Sequence, residues 1–577
     1  MIARTFEQQD SRRSPTTNRR RAVGVLVRCV VLNSVLLLLA VTALRAQVSF
    51  DRLMRADREP QNWLMYSGNT QGQRYSPLTQ ITPANVRNLE QHWLFQAQSL
   101  EKFEATPLVA DGVMYTVQAP NTVIALDAVV GRVFWTYNYT PSPQSRPCCG
   151  RVNRGLAILD DQLFMVTLDD HLIALDAVTG RLRWNTAVEG ARPEAGYAMT
   201  VAPQIVKDKV ITGVAGGEYG VRGFLAAFDV RSGKEVWRFN TVPRPGEPGH
   251  ETWGGDSWQR GGAGVWTTGT YDPDLNLTYW GLGNPGPLGV GDSRLGDNLY
   301  SCSVVALDAD TGRLKWHFQF TPHDEFDYDA TQVPILADLS WQGRPRKVML
   351  FANRNGYFYV LDRSTGEFLS GKPFVNVTWT AGLDAKGRPT GVRAPTLEGV
   401  RLEPGPMGAT NWYSPSYSPR TGLFYVVSWV NNPVTFRKSP IRSEFTEGRV
   451  FFDLILDGGG PDGPPGLGGG TTRVNRRGSE DGHSEVRALD PRTGDRKWAF
   501  EMTDFAEAGI LTTASDLLFT GSREGYFYAL DARTGSLLWR ANVGGNVVAA
   551  PMTYAVDGRQ YVAMTAGNGL FAYALRQ

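Results

Sequence analysis

Apolar and polar residues alternate with a period of two in short bursts along this chain, and the bursts run into one recurring phrase. TVIALDA leads into ALDAVVGRVFW at 125–135, and GYFYALDA leads into ALDARTGSLLW at 529–539. Further copies stand at 174–184, 227–237, 306–316 and 488–498, and VLDRSTGEFL at 360–369 is a copy without the final Trp. A period of two predicts strands. Asp then opens a turn by accepting from backbone amides, and Gly supplies the positive φ near its end. A second strand leaves carrying the Trp, so each unit reads as a hairpin with one indole for docking. The spacing of the first two copies suits one four-stranded blade plus loops. The expectation is therefore all-β: an eight-bladed β-propeller with tryptophan-docking repeats.

Two stretches refine that count. The long gap between Leu361 and Leu489 has room for more than two units, and SPSYSPRTGLFYVVSW at 414–429 reads as a degenerate blade within it. The last strands, at 559–575, are expected to close the ring with N-terminal sequence around Trp63 or Trp93. The Gly/Pro stretch at 457–470 lacks periodicity and reads as a long loop.

Composition narrows the partners. Lys+Arg number 59 and Asp+Glu 57, a balance that gives no support to nucleic-acid binding. Gly at 63 and Trp at 16 agree with a turn-rich, aromatic-rich β protein. Arg12, Arg13, Arg19, Arg20, Arg21 and Arg28 precede an apolar run from Cys29 to Leu44, with Ala46 as a small residue at a cleavage point. Residues 1–46 thus read as a secretory signal peptide, with an uncleaved anchor as the alternative, and 47–577 as the exported, periplasmic domain.

One stretch concentrates charge. TPHDEFDYDA at 321–330 places Asp324, Glu325, Asp327 and Asp329 within six positions. Solvent, a basic neighbour or a metal could hold them. His and Cys clusters with zinc spacing are absent from the sequence. In CCGRVNRG at 148–155, Cys148 and Cys149 are adjacent; a bond between them, two buried thiols, or a pairing with Cys302 are all open on the residues alone.

Six segments in order give the chain a wider likeness: CCGRVNRG, GGEYGVRGFLAAFD at 216–229, YDPDLNLTYWGLGNPGP at 271–287, TPHDEFDYDA, NRNGYFYVLDR at 353–363 and GATNWYSPSYSP at 408–419. From about residue 60 onward the sequence resembles the quinoprotein methanol/ethanol dehydrogenases, which use pyrroloquinoline quinone (PQQ). The resemblance implies eight blades with PQQ and a metal ion on the axis. It implies a Cys148–Cys149 disulfide over one face of PQQ and Trp266 on the other, with Gly264 where some relatives carry a Thr contact. Glu104, Arg154, Thr200, Gly216, Gly217, Asn411 and Arg354 match cofactor contacts. Glu218, Asn284 and Asp327 match the metal ligands, all hard oxygens.

Asp329 adds a carboxylate where calcium-type relatives carry Ala and lanthanide-type relatives carry Asp. On a strand, positions i and i+2 share a side, so a lanthanide is expected, with calcium as the alternative. Asp324 and Glu325 read as supporting residues. The implied reaction oxidises a primary alcohol to an aldehyde by hydride transfer to PQQ. Asp327 would be the general base, ionised beside the cation, and Arg354 would stabilise charge at the quinone oxygen. No C-x-x-C-H occurs in the sequence, so electrons are expected to leave to a separate cytochrome c. The stretch 506–514 lacks a Trp found in some methanol-oxidising members, which leaves room for a larger alcohol. Alternatives are a quinoprotein acting on sugars or aldehydes, and a non-catalytic propeller scaffold, which would have no reason to keep the axial set. A homodimer is compatible with this reading.

Overall fold

The computed structural model describes residues 48–188, 190–457 and 482–576. The segment 1–46, expected to be a signal peptide, and most of the Gly/Pro stretch lie outside the described residues. Residues 48–577 form one compact unit. Among the described residues the only α-helix is Phe50–Met54, with scattered single turns of 3-10 helix. The rest is sheet.

Among the described residues, eight sheets carry four antiparallel strands each, one of them extended by the parallel strand Tyr75–Ser76. The pattern is plain in the first: Leu108–Ala110, Val113–Gln118, Thr122–Asp127 and Val133–Asn138, paired in sequence order. The third strand is buried through its middle, whereas the fourth alternates between exposed and half-buried positions. Only that outer strand keeps the two-faced pattern, because the inner strands are covered on both faces.

The repeated phrase forms the turn between third and fourth strands, and its chemistry recurs. Asp176 Oδ1 accepts from the amides of Val178 and Thr179 at 3.1 and 2.8 Å, and Gly180 donates to the Asp176 carbonyl at 2.8 Å. The Gly does more than turn the chain. Gly180 has φ +70°, and a Cβ on it would meet the Trp135 ring of the preceding sheet at 2.5 Å. Trp135 Nε1 in turn donates to the Ala177 carbonyl at 3.2 Å. The same bond joins Trp93 to Ala128, Trp184 to Val230, Trp237 to Ala309, Trp316 to Arg363 and Trp498 to Ala532, all at 3.1–3.2 Å. Each docks one sheet on the next. Where the copy at 360–369 lacks its Trp, the stem of Lys372 packs on Gly494 instead.

The strand accounting differs from the sequence expectation. Residues 414–429 are not a separate degenerate blade. Strands Ser416–Ser418 and Leu423–Val430 form one sheet with His483–Leu489 and Arg496–Met502, the strands of the 488–498 repeat. Leu423–Val430 and His483–Leu489 pair directly although some fifty residues separate them. The sheet without a repeat copy is the closing one, where Leu89–Gln96 pairs with Gly569–Leu575, Leu89 opposite Leu575 and Gln96 opposite Gly569. Trp93 lies in that closing strand. Trp63 makes only an isolated bridge to Val109.

Candidate active site

The loops entering successive sheets line a cavity of about 700 Å³. Of the residues singled out in the sequence, Glu104, Cys148, Cys149, Arg154, Thr200, Gly217, Glu218, Trp266, Asn284, Asp327, Asp329, Arg354 and Asn411 all line it. They come from positions as far apart as Glu104 and Asn411, and only the folded chain assembles them. Gly216 is the exception. Its φ is +114°, a Cβ there would meet the Gly196 carbonyl oxygen at 2.2 Å, and it stands behind the wall, capping the short turn Gly217–Tyr219 that carries Glu218.

Cys148 and Cys149 are joined by a disulfide, and Cys302 is a buried free thiol. The loop bearing the disulfide is tied down by Asp169, which accepts from the Ser142 amide at 2.7 Å and the Tyr139 hydroxyl at 3.1 Å. Among the described residues, the two sulfurs and the Glu218 carboxylate are the one His/Cys/Asp/Glu trio with ligating atoms within 4.8 Å of one another. Glu218, Asp327 and Asp329 do not approach that closely as a set: three carboxylates repel, and a guanidinium separates their charges.

That guanidinium is Arg354. Its Nη2 donates to Asp327 Oδ2 at 2.9 Å and its Nη1 to Asp329 Oδ2 at 2.7 Å. Asp329 Oδ1 also accepts from the Asn284 amide. The two acids share Arg354, whereas the sequence expectation is one shared ion reached by strand alternation, and strand alternation does not hold. Residues 322–334 form no strand, and Asp327 has φ +71°. Asp324 shapes this segment. Fully buried, it accepts from the amides of Phe326, Asp327 and Tyr328 at 3.1–3.3 Å, holding the chain in a tight turn that aims Asp327 at the cavity. Glu325 accepts from the Gly291 amide at 2.8 Å. So Asp324 and Glu325 are braces.

Burial dominates the electrostatics. It pushes Glu218 up to about 7, with Asp329 adding to the rise. Burial holds Asp327 well above the ordinary carboxylate range, with Arg354 opposing and Asp329 reinforcing it, and lifts Asp329 as well. Arg354 thus offsets only part of the burial that disfavours the ionised form of Asp327, and further positive charge nearby would favour that form.

Arg154 anchors the other side. It pairs with Glu104 at 3.0 Å, donates to Thr200 Oγ1 at 2.8 Å, and lies between the rings of Trp266 and Trp412, at 5.0 and 4.8 Å from their centroids. Trp412 was not singled out in the sequence, although it follows Asn411 directly; as one of 16 Trp residues it carried no distinguishing signal. Lys102 and Glu507 were also missed. They line the cavity as an ion pair at 3.1 Å, and each is an ordinary charged residue until the fold brings them together.

The donor set fits a flat anionic quinone and a hard cation. Nε of both Arg154 and Arg354 is buried with no hydrogen-bond partner among the described residues, and the acids offer oxygen alone.

Comparison with known proteins agrees with this chemistry. The family profile "Glucose/ethanol/alcohol dehydrogenase, beta-propeller domain" matches residues 63–378, and that of "Outer membrane protein assembly factor BamB" matches 482–576. The quinohemoprotein alcohol dehydrogenase ADH-IIG of Pseudomonas putida is 39% identical over 558 residues, 91% of this chain and 75% of its own. The lanthanide-dependent methanol dehydrogenase of Methylacidiphilum fumariolicum (strain SolV) is 35% identical over 91% of this chain and 88% of its own. The structure of a europium-containing methanol dehydrogenase superimposes with a TM-score of 0.83 at 32% identity, covering 91% of this chain and all of that one. The chain belongs to the PQQ-dependent alcohol dehydrogenases.

Proposed function

We propose that this protein oxidises a primary alcohol to an aldehyde in the periplasm, with Asp327 as general base and a lanthanide ion held by Glu218, Asn284, Asp327 and Asp329. The observation that carries the reading is the charge imbalance at the cavity floor. Three carboxylates, Glu218, Asp327 and Asp329, face one guanidinium, Arg354, a formal excess of two negative charges. A multivalent cation neutralises that excess, and the extra carboxylate of Asp329 favours a trivalent over a divalent ion. Calcium is the second reading, because the same oxygens suit any hard cation. A lanthanide-dependent relative and a europium-containing structural neighbour support the first.

The cation, when bound, supplies Lewis acidity and pulls Asp327 toward its ionised form. PQQ, when bound, supplies a quinone that accepts hydride. The protein's own residues do the rest. Asp327, its carboxylate aimed by the Asp324 turn and fixed by Arg354, takes the alcohol proton. Arg354 holds positive charge at the reacting centre. Arg154 and Thr200 would receive the cofactor's carboxylates, and Trp266 and the disulfide would shield its faces. A separate c-type cytochrome is proposed as electron acceptor. Export rests on the Arg-rich start and the apolar run, and cell fractionation tests it.

The deciding experiment loads purified protein with PQQ and either calcium or a light lanthanide, then follows alcohol-dependent dye reduction. Turnover with the lanthanide exceeding that with calcium is expected. No dye reduction with either metal overturns the reading.

A further inference from the structure

Glu218 is carried on a weak piece of backbone. Gly217–Tyr219 is a single turn of 3-10 helix without a side-chain cap, set between Gly216 at φ +114° and Gly220 at φ +65°. Glycines on both sides leave such a turn many alternative conformations. Contacts from outside must therefore hold the carboxylate in place. One side of the turn rests on Gly196 and Asn284: the Tyr219 ring packs on Gly196, and Asn284 Oδ1 stands beside Gly217. The other side is covered by residues 443–453, part of the excursion between strands Leu423–Val430 and His483–Leu489.

This segment is a compact loop with its ends tied together. The Ser443 amide donates to Asp453 Oδ1 at 2.6 Å, and the Ser443 hydroxyl donates to the Phe452 carbonyl at 2.8 Å. Near its end, the backbone of Phe451 joins two stretches that bear oxygen ligands. Its amide donates to the Glu218 carbonyl at 2.7 Å, and its carbonyl accepts from the Leu288 amide at 3.2 Å. Leu288 follows Asn284 across Pro285 and Pro287, which stiffen the link. Side chains add a clamp. A Cβ on Gly220 would stand 3.1 Å from the Phe445 ring and 3.3 Å from the Phe451 ring. These rings meet edge to face at 5.6 Å, and the Arg260 guanidinium lies 4.5 Å over Phe445. Of this loop, Val450 and Phe452 line the cavity, and neither carries a ligating side chain. The loop thus acts on the site through Glu218.

We propose that residues 443–453 are a positioning element for the cation site, with Phe451 stapling the Glu218 turn to the Asn284 stretch before any ion binds. This rests on the reading of Glu218 and Asn284 as metal ligands. A turn that adopts its binding geometry only part of the time binds more weakly by that fraction, because the cation must then supply the ordering. Phe451 and Phe445 are positioning residues: they touch the backbone that carries the ligand.

The test titrates full-length, PQQ-loaded protein, first stripped of metal, with terbium read by luminescence. Hydrogen–deuterium exchange across residues 214–224 is measured before and after. Phe445→Ala with Phe451→Ala removes the clamp. Terbium affinity should fall by about tenfold, the scale of a turn that is in place a tenth of the time. Exchange across 214–224 should speed up in the metal-free variant, and saturating terbium should restore native protection. Phe445→Tyr with Phe451→Tyr keeps both rings and should bind within about twofold of native. Phe451→Leu should lose about threefold, and it decides the question if the double Ala variant does not fold. Ile441→Ala, on the same excursion and 79% exposed, should change neither readout. Terbium affinity within about twofold of native in both clamp variants overturns this proposal alone. So does weaker binding with native exchange rates, or an equal loss in Ile441→Ala. Native protein that takes up no terbium overturns the metal-ligand reading beneath it.

Discussion

Single side chains carry the chemistry, and their effects separate cleanly. Asp327→Asn keeps the volume and the Arg354 contact but removes the base, so kcat should fall by about 10²–10⁴ with thermal unfolding little changed. Stopped-flow dye reduction and a melting curve check this, and retained turnover would remove Asp327 from its role. Asp329→Ala should weaken lanthanide binding by about tenfold or more, and calcium binding less, because the charge lost matters more to a trivalent ion. Terbium or europium luminescence titration measures it. Equal losses for both ions would leave Asp329 as a partner of Arg354 only. Asp324 gives a stability signature. Burial raises it from 3.8 to about 6, so the folded state binds a proton that the unfolded chain has already released between those values. Its contribution to stability is present below about pH 4 and is lost as pH rises to about 6. In cation-free protein, Asp324→Asn should flatten that part of the pH–stability curve by on the order of 1–3 kcal/mol, read by urea unfolding. The acids were visible in TPHDEFDYDA, but their division of labour was not. Amide bonds from residues two to four positions along make Asp324 a brace, and Arg354, far along the chain, joins Asp327 to Asp329.

Sheets dock through a Trp on one and a Gly turn on the next, and each half of the joint constrains the other. Trp316 is 8% exposed and bonds the Arg363 carbonyl; a Cβ on Gly366 would meet its ring at 2.7 Å. Trp316→Ala should cost about 3–5 kcal/mol, from lost burial and the cavity left behind, while the Arg363 carbonyl keeps its bond from the Tyr279 hydroxyl. Urea unfolding checks the value, and a cost under about 1 kcal/mol would show that the neighbouring sheets hold without it. The repeat was legible because its turn is local: Asp, Gly and Trp lie within nine residues. The sheet joining 414–429 to 488–498 was not legible as one element, since a long excursion separates its two middle strands. The closing sheet likewise has no copy of the phrase, because its outer strand comes from Leu89–Gln96 rather than from the residues after Leu575.

At the scale of the whole molecule, the sheets present their entering loops to one cavity, and ligand binding reports on all of them at once. A ligand that binds the folded state alone stabilises it by mass action, so PQQ and cation together should raise the melting temperature progressively with concentration. Absence of any shift at concentrations that support turnover would place the ligands elsewhere. The amino-acid sequence by itself determined the strand period, the docking repeat, the all-β class and which oxygen-bearing residues line the cavity, because these depend on neighbours in the chain or on matched motifs. Only the tertiary structure decided which strands close the ring, that Arg354 divides its bonds between Asp327 and Asp329, and that Lys102 meets Glu507 in the cavity wall. Those are contacts between residues remote in sequence. Their energies exist only once the chain has folded, so no local pattern encodes them.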